Sequence, residues 1–150
     1  MVSVANLGRQ SRQSVDPLND VIRRQMQRMP RQHTRPEIAL RRALHRKGLR
    51  FRLQSKDLPG RPDIVLSRVK IAIFVDGCFW HRCAIHYKPP KNNSEWWSAK
   101  FAANVQRDRD KDAELVAQGW LPVHVWEHDD PSEAADMLHS LWDDRRRRLQ

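Results

Sequence analysis

Three stretches of the chain repeat apolar residues at helical spacing and predict three helices. The first begins after Thr34, which forms a capping-box pattern with Glu37 in the first turn, where a proline also lies. Gly48 suits the C-terminal cap of this helix. The second runs over about 94–118, and Ser132 is placed to cap the third. The residues that we expect on the buried helix faces are Leu40, Ala43 and Leu44, then Trp97, Phe101, Val105 and Leu115, then Leu138, Leu141 and Trp142.

Other stretches are short and apolar or alternate with period two, as strands do. Residues 49–53 alternate apolar and basic side chains, which favours a strand with one buried face. Two β-branched runs, 63–66 and 69–75, predict a hairpin of central strands with a two-residue turn, and 121–126 predicts a further strand. The order α-β-β-β-α-β-α indicates the α/β class, with a mixed central sheet flanked by helices.

A chain of 150 residues is long enough for one domain with a buried core. Residues 1–32 are rich in Arg, Gln and Ser, so we expect a basic arm that is partly disordered or is ordered by DNA, followed by a folded domain over 33–150. The longest apolar run is far shorter than the ~20 residues of a membrane helix, and the first residues lack a signal-peptide core. Two cysteines cannot build a disulfide scaffold, so we expect a cytoplasmic protein.

Positive charge is concentrated in the first two thirds of the chain. The formal net charge is +10: residues 1–50 carry 12 Lys and Arg against 3 acids, 51–100 carry 9 against 4, and 101–150 carry 7 against 11. A basic front and an acidic back suggest that one face binds a polyanion, and nucleic acid is the commonest such partner. Charge alone leaves open the alternative of a merely soluble basic protein.

Cysteine and histidine residues cluster after the third predicted strand. Cys78, Cys83 and His86 have the spacing C-x4-C-x2-H, and His128 follows the last predicted strand. A structural zinc ion needs four N or S ligands in a tetrahedron, and adjacent strands would bring these two groups together. Neither spacing is that of a standard zinc finger, so two buried thiols and scattered surface histidines are the alternative.

Acidic residues stand at the ends of the predicted central strands. Asp63 opens one strand, Asp76 ends the next, and His81 follows five residues later. Hydrolysis of a phosphodiester uses Mg²⁺ on carboxylates and a base with a pKa near neutrality, which histidine supplies. Glu37 lies in the first helix, where the capping box alone would explain it. An ion pair or a turn would explain Asp63, and zinc binding would explain His81.

The chain has six tryptophans, and some of its aromatic residues lie among polar and basic neighbours. Phe79 and Trp80 fall in the cysteine-containing loop. Aromatic side chains in such loops can wedge between bases, although core packing is nearly as good an explanation. Asn104 and Asp108 share one face of the long helix, where a solvated polar stripe is the simpler interpretation.

Four segments together resemble the very-short-patch repair (Vsr) DNA mismatch endonucleases. They are residues 58–63 (LPGRPD), 75–81 (VDGCFWH), 104–108 (NVQRD) and 125–127 (VWE), in the family's order, within a matching stretch over about 26–128. The resemblance implies a restriction-endonuclease-like core and a structural zinc ion. It also implies Mg²⁺-dependent nicking of double-stranded DNA at T:G mismatches beside methylated cytosine sites.

The resemblance implies roles for individual residues as well. Asp63 would bind Mg²⁺ together with the backbone carbonyl of Val75. His81 would be the catalytic histidine, and Glu37 would help to order the metal's water or the base. The implied zinc ligands are Cys78, Cys83, His86 and His128. The implied DNA contacts are Met26, Phe79, Trp80, Trp97 and the polar pair Asn104 and Asp108 near the active site.

The chain departs from one well-known form of the family within these motifs. Val75 stands where that form has threonine, and a residue that acts through its backbone carbonyl tolerates this change. Asp76 stands where that form has histidine, so it would add a second metal carboxylate to the catalytic site or pair with another group. The order of Cys and His in the zinc loop also differs, with His86 the weakest match and His128 in place of a cysteine, although zinc accepts both ligand types.

The sequence therefore predicts a monomeric, Mg²⁺-dependent nicking endonuclease of the bacterial cytoplasm that acts on mismatched double-stranded DNA. Other mismatch-repair proteins are the further partners that this function suggests. Two alternatives remain open: a restriction-type or differently specific endonuclease of the same fold, and a zinc-bearing DNA-binding module without catalysis. The combination of Asp63, Asp76 and His81 argues against the second alternative.

Overall fold

The structure, a computed structural model, describes Arg24, residues 33–77 and residues 94–150. In chain order, the elements are α1 (Arg35–Arg46), β1 (Arg52–Leu53), β2 (Ile64–Leu66), a 3-10 turn (Ser67–Val69), β3 (Ile71–Asp76), α2 (Ser94–Ala117), β4 (Leu121–Trp126) and α3 (Pro131–Arg148). The predicted order and the α/β class are confirmed. Apart from Arg24, the predicted arm lies outside the described residues. No helix in the described part of the chain is long and apolar enough to cross a membrane.

The four strands form one mixed sheet in the order β1-β2-β3-β4. Strand β2 is antiparallel to both of its neighbours, β1 and β3. Strand β4 runs parallel to β3, and their last paired residues are Asp76 and Trp126. Helix α2 lies in the crossover between these parallel strands, as such a connection requires. Because β3 and β4 are parallel neighbours, the segments that follow them leave the sheet at the same edge.

Alternate residues of β3 and β4 face opposite sides of the sheet. On one side, helices α1 and α3 pack against each other and against the main core. On the other side, His124 of β4 contacts Asp112 of α2 and stacks on Phe74 of β3. The predicted sheet flanked by helices is thus confirmed. The fully buried aliphatic members of the main core include Leu40, Leu44, Ile64, Leu66, Ile71, Ile73 and Leu138.

The first strand is shorter than the alternation predicts. Only Arg52 and Leu53 form β1, and both are exposed, so the prediction of a five-residue strand with one buried face was wrong. Leu49 is buried and Phe51 packs against the core without belonging to the strand. Gln54, with φ of 51°, turns the backbone away directly after β1. Apolar alternation therefore predicted the burial of Leu49 and Phe51, but neither the exposure of Leu53 nor the length of the hydrogen-bonded ladder.

Two other element boundaries differ from the prediction. The connection between β2 and β3 is longer than the predicted two residues. It consists of the 3-10 turn, which includes Val69, and of Lys70, whose backbone is left-handed with φ of 54°. Helix α3 is capped by Asp130 rather than Ser132: one carboxylate oxygen accepts hydrogen bonds from the backbone N–H groups of Ser132 and Glu133, at 2.9 and 3.0 Å. Pro131 occupies the first turn, where its missing N–H costs nothing, and this moves the cap to the preceding residue.

Candidate active site

Helix α1 carries a buried carboxylate toward the sheet. The Thr34 hydroxyl accepts a hydrogen bond from the backbone N–H of Glu37 at 3.4 Å, so this half of the predicted capping box is confirmed. The Glu37 carboxylate is 1% exposed and accepts hydrogen bonds from the side chains of Arg41 and, at 2.7 Å, Gln54. The cap therefore accounts for the backbone of Glu37, but it does not account for the burial of its charge.

Asp63 lies at the start of β2, where it is tied to the end of β3 by two hydrogen bonds. Its backbone N–H donates to the carbonyl of Ile73 at 2.9 Å, and its Oδ2 accepts from the backbone N–H of Val75 at 2.8 Å. The turn that precedes it includes Gly60, whose φ is +76°. These bonds hold one carboxylate oxygen against β3 and place the side chain at the edge where β3 ends.

The environment of Asp63 opposes its ionisation. Burial is the largest cause and raises the pKa of Asp63 to about 6, although the hydrogen bond from Val75 acts in the opposite direction. The negative charges of Glu37 and Asp76 raise the pKa further, and Arg41 lowers it. Two acidic residues on other elements, Glu37 on α1 and Asp76 on β3, thus act on Asp63. A partly buried group of like charges favours a bound cation and is typical of functional sites.

Asp76 ends β3 and is 7% exposed. One of its carboxylate oxygens lies 2.7 Å from Nδ1 of His124, while Nε2 of the same ring lies 2.8 Å from Oδ2 of Asp112 on α2. The hydrogen bond with Asp76 is the main cause that raises the pKa of His124 to about 9, so at neutral pH both ring nitrogens are protonated and donate. Asp76 thus pairs with another group, and its role as a second metal carboxylate stays a prediction.

Sequence reasoning missed His124 and Asp112. A histidine between two valines in a strand was the available signal, because it breaks the apolar character of 121–126. Finding its partners required the register that sets Phe74 opposite His124 and the position of α2 over the sheet. Neither follows from the spacing of residues along the chain.

The turn before Asp63 packs closely against the same group. A Cβ atom added at Gly60 would lie 3.1 Å from the Phe74 ring and 3.3 Å from Cβ of Lys111. Phe74 in turn stacks on His124, with ring centroids 4.9 Å apart. The turn, the sheet and α2 therefore meet around one aromatic ring beside the acidic residues.

Other predicted site residues lie on or after α2. Trp97 is 4% exposed and stacks on Phe101, so its predicted inward position is confirmed and its role in DNA binding stays a prediction. Asn104 and Asp108 are half-buried on the same helix. His128 follows β4, as predicted, and its ring stacks against Trp126.

Several predicted site residues lie outside the described part of the chain. They are Met26, Cys78, Phe79, Trp80, His81, Cys83 and His86. The predicted adjacency of the strands that precede the two parts of the zinc site is confirmed, because β3 and β4 are neighbours. Within 33–77 and 94–150, no group of three or more Cys, His, Asp or Glu residues could hold a metal ion, so the zinc site stays a prediction.

Comparisons with known proteins show what this chain is similar to. A family model described as DNA mismatch endonuclease Vsr matches residues 18–86. The type II nicking enzyme V.NaeI of Lentzea aerocolonigenes is 42% identical over 134 residues, which cover 83% of this chain and 81% of the relative. The type II nicking enzyme V.XorIIP of Xanthomonas oryzae pv. oryzae is 48% identical over 104 residues, 68% of this chain and 76% of the relative. The DNA mismatch endonuclease Vsr of Escherichia coli K12 is 44% identical over 82 residues, 53% and 52% of the two chains.

Proposed function

We infer the reaction from one premise: the chain belongs to the Vsr family of DNA mismatch endonucleases and is a DNA nicking endonuclease. We propose that it cuts one strand of a DNA duplex at a T:G mismatch beside a methylated cytosine site. The observation that carries this proposal is the Asp63 carboxylate, held at the junction of β2 and β3. Burial is the main cause that raises its pKa to about 6, and the charges of Glu37 and Asp76 add to that effect. An acidic group of this kind is costly in a folded protein unless it is paired or binds a cation.

The acidic edge of the sheet suits magnesium. We propose that Asp63 and the backbone carbonyl of Val75 hold Mg²⁺, which when bound would neutralise charge on the scissile phosphate and promote ionisation of the attacking water. Mg²⁺ usually takes one or two protein carboxylates and keeps several waters, so a larger preformed set of ligands is not required. Oδ2 of Asp63 accepts the hydrogen bond from Val75, which leaves Oδ1 as the oxygen proposed to face the ion.

The remaining steps are assigned to the chain's own residues. His81 is proposed to take the proton from the attacking water, and Glu37 to order that water or the base. Phe79, Trp80 and Trp97 are proposed to open the base stack at the mismatch, where unstacking costs less than at a matched pair. Cys78, Cys83, His86 and His128 are proposed to bind the structural zinc ion.

A nicking assay on a panel of duplexes tests the proposal. The panel holds each mismatch and the matched duplex in several methylated contexts, with Mg²⁺ or with a chelator. We expect Mg²⁺-dependent nicking of the T:G duplex, loss of nicking in Asp63→Asn and His81→Ala, and retention of DNA binding by both variants. Asp57→Asn is the matched control, because Asp57 is an exposed aspartate in the loop before β2. Normal nicking by Asp63→Asn or by His81→Ala would contradict the assignment.

The second candidate is nicking at a different mismatch or recognition site. It is favoured by the relatives from Lentzea aerocolonigenes and Xanthomonas oryzae, of which the match covers 81% and 76%. Both of these relatives are named type II nicking enzymes. The same panel separates the two candidates: preference for another duplex, with the same dependence on Asp63, supports the second one. Family membership favours either endonuclease over a non-catalytic zinc-bearing module.

A further inference from the structure

The imidazole of His124 is held on both of its nitrogens and on one face. Nδ1 contacts Asp76 at 2.7 Å, Nε2 contacts Asp112 at 2.8 Å, and the ring stacks nearly parallel on Phe74, with an interplanar angle of 12°. Three residues, two on β3 and one on α2, thus determine the orientation of one side chain. An imidazole with two acceptors and a stacked ring has no other rotamer that keeps all three contacts.

The contact with Asp76 lies beside the acidic residues of the site. Asp76 is the last residue of β3 and directly follows Val75, whose N–H binds the Asp63 carboxylate. The charge of Asp76 also reaches Asp63, because it is one of the groups that raise the Asp63 pKa. The position of the Asp76 carboxylate therefore affects the group proposed to bind the metal ion.

Packing alone is a weaker explanation of His124. The side chain of His124 is 31% exposed, whereas that of Asp76 is 10% exposed. The partly solvated imidazole therefore provides a hydrogen-bond partner for the more buried carboxylate. Asp112 is not needed to satisfy a buried histidine, since its contact with Nε2 is exposed whereas the contact of Nδ1 with Asp76 is partly buried. Asp112 does, however, hold the ring in the plane that presents Nδ1 to Asp76.

We propose that His124 is a positioning residue of the nicking site, which holds the Asp76 carboxylate beside Asp63 while Asp112 and Phe74 hold His124. The inference rests on the proposed function, because it assigns a residue to that site. It concerns the Nδ1 contact specifically, and this makes it separable from a role of the ring in stability.

Two isosteric substitutions distinguish the two nitrogens. An asparagine amide at 124 places its N–H₂ near the Nδ1 position and can still donate to Asp76, whereas a glutamine amide places it near Nε2 and can donate to Asp112. We expect His124→Gln to lower the single-turnover nicking rate about 10- to 100-fold, the usual range for groups that orient a metal site. We expect His124→Asn to recover most of that loss, and DNA affinity without divalent ions to be unchanged in both.

Controls separate positioning from folding. His139→Asn removes a histidine that packs against Trp142 on α3, outside the acidic group, and we expect it to nick like the wild type. Thermal unfolding of all variants reports any general loss of stability. Equal nicking rates for His124→Gln and His124→Asn, or wild-type nicking by His124→Gln, would overturn the proposal.

A second readout does not depend on the substrate. In the proton NMR spectrum of the intact wild-type chain without metal, we expect a slowly exchanging Nδ1–H resonance of His124 that disappears in Asp76→Ala. Absence of that resonance overturns the positioning contact. If the wild type nicks another duplex than T:G, the proposed specificity fails, and the Gln and Asn variants are then compared on the duplex that is nicked. A split between them on that duplex still supports the proposal.

Discussion

At the scale of single residues, the candidate site is a balance of unfavourable and favourable charges. The structure places Asp63 where burial and two acidic neighbours oppose its ionisation, while the backbone N–H of Val75 and the guanidinium of Arg41 favour it. Functional residues often lie where their surroundings disfavour the charged form, and this lowers the stability of the folded protein. Its consequence can be measured as stability.

Asp63→Asn is expected to abolish nicking and to raise the melting temperature of the metal-free protein at pH 7.5. The folded-state pKa of Asp63 is raised from 3.8 to about 6, so its contribution to stability is full below about pH 4 and is lost as pH rises through 6. Asparagine keeps the hydrogen bond from Val75 and removes the charge. A gain of 1 kcal/mol in a chain of this size is worth about 2–4 °C.

Thermal unfolding with a chelator at pH 4.5 and 7.5 checks this expectation. The difference between Asp63→Asn and the wild type should be larger at pH 7.5 and should shrink toward pH 4.5. Asp57→Asn serves again as the control and should show a smaller pH trend, because Asp57 is exposed. A melting temperature of Asp63→Asn below that of the wild type at pH 7.5 would count against the burial argument.

At the scale of elements, helix α1 combines two functions in its first turn. Thr34 caps the helix, and Glu37, three residues later, sends a carboxylate into the site. The sequence pattern showed the first function and offered it as a sufficient explanation of both residues. The contacts of Glu37 with Arg41 and Gln54, which the pattern does not predict, show that its side chain has a role besides the cap.

Substitutions in this turn separate the two functions. Thr34→Ala removes the cap and is expected to cost about 1 kcal/mol of stability while leaving the nicking rate near that of the wild type. Glu37→Gln keeps the side-chain shape and the backbone N–H of the cap, and is expected to lower the nicking rate by about tenfold or more because it removes the carboxylate proposed to order the attacking water or the base. Urea unfolding and single-turnover nicking of both variants give the comparison. Nicking that falls equally in both would assign Glu37 to the cap alone.

At the scale of the whole molecule, the parallel pair of β3 and β4 determines which distant segments meet. The segment with Cys78, Cys83 and His86 follows β3, and His128 follows β4 at the same edge of the sheet. The proposed zinc ion would therefore join the ends of the two parallel strands, β3 and β4, next to the acidic site. Structural zinc sites contribute directly to folding free energy.

We expect the protein, purified without chelators under reducing conditions, to contain one zinc ion per chain. His128→Ala and Cys78→Ser should each lower the zinc content and the melting temperature, because each removes one of four ligands. Metal analysis by mass spectrometry, with His139→Ala as the control, makes the measurement. A zinc-free, fully active wild-type protein would contradict the assignment.

Much of this architecture could be predicted from the sequence, since caps, glycines and apolar spacing are local signals. Thr34, Gly48 and the mixed sheet were predicted correctly, and so were the buried faces of the helices except at Val105, which is half-buried. The length of β1 could not be predicted, because a ladder depends on its partner strand as well as on its own alternation. His124 could not be connected to Asp76 either, since 48 residues separate them and only the register of β3 and β4 unites them.

Gly60 shows how narrowly this neighbourhood tolerates change. Because Gly60 has no side chain, the loop packs closely against the Phe74 ring, and His124 stacks on the same ring. A methyl group at position 60 would have to displace the Phe74 ring or the backbone of the loop. The backbone φ of +76° at this position adds strain in either case. A position with no functional atoms of its own is therefore a place where a single small mutation can misalign the candidate site without touching an acidic residue.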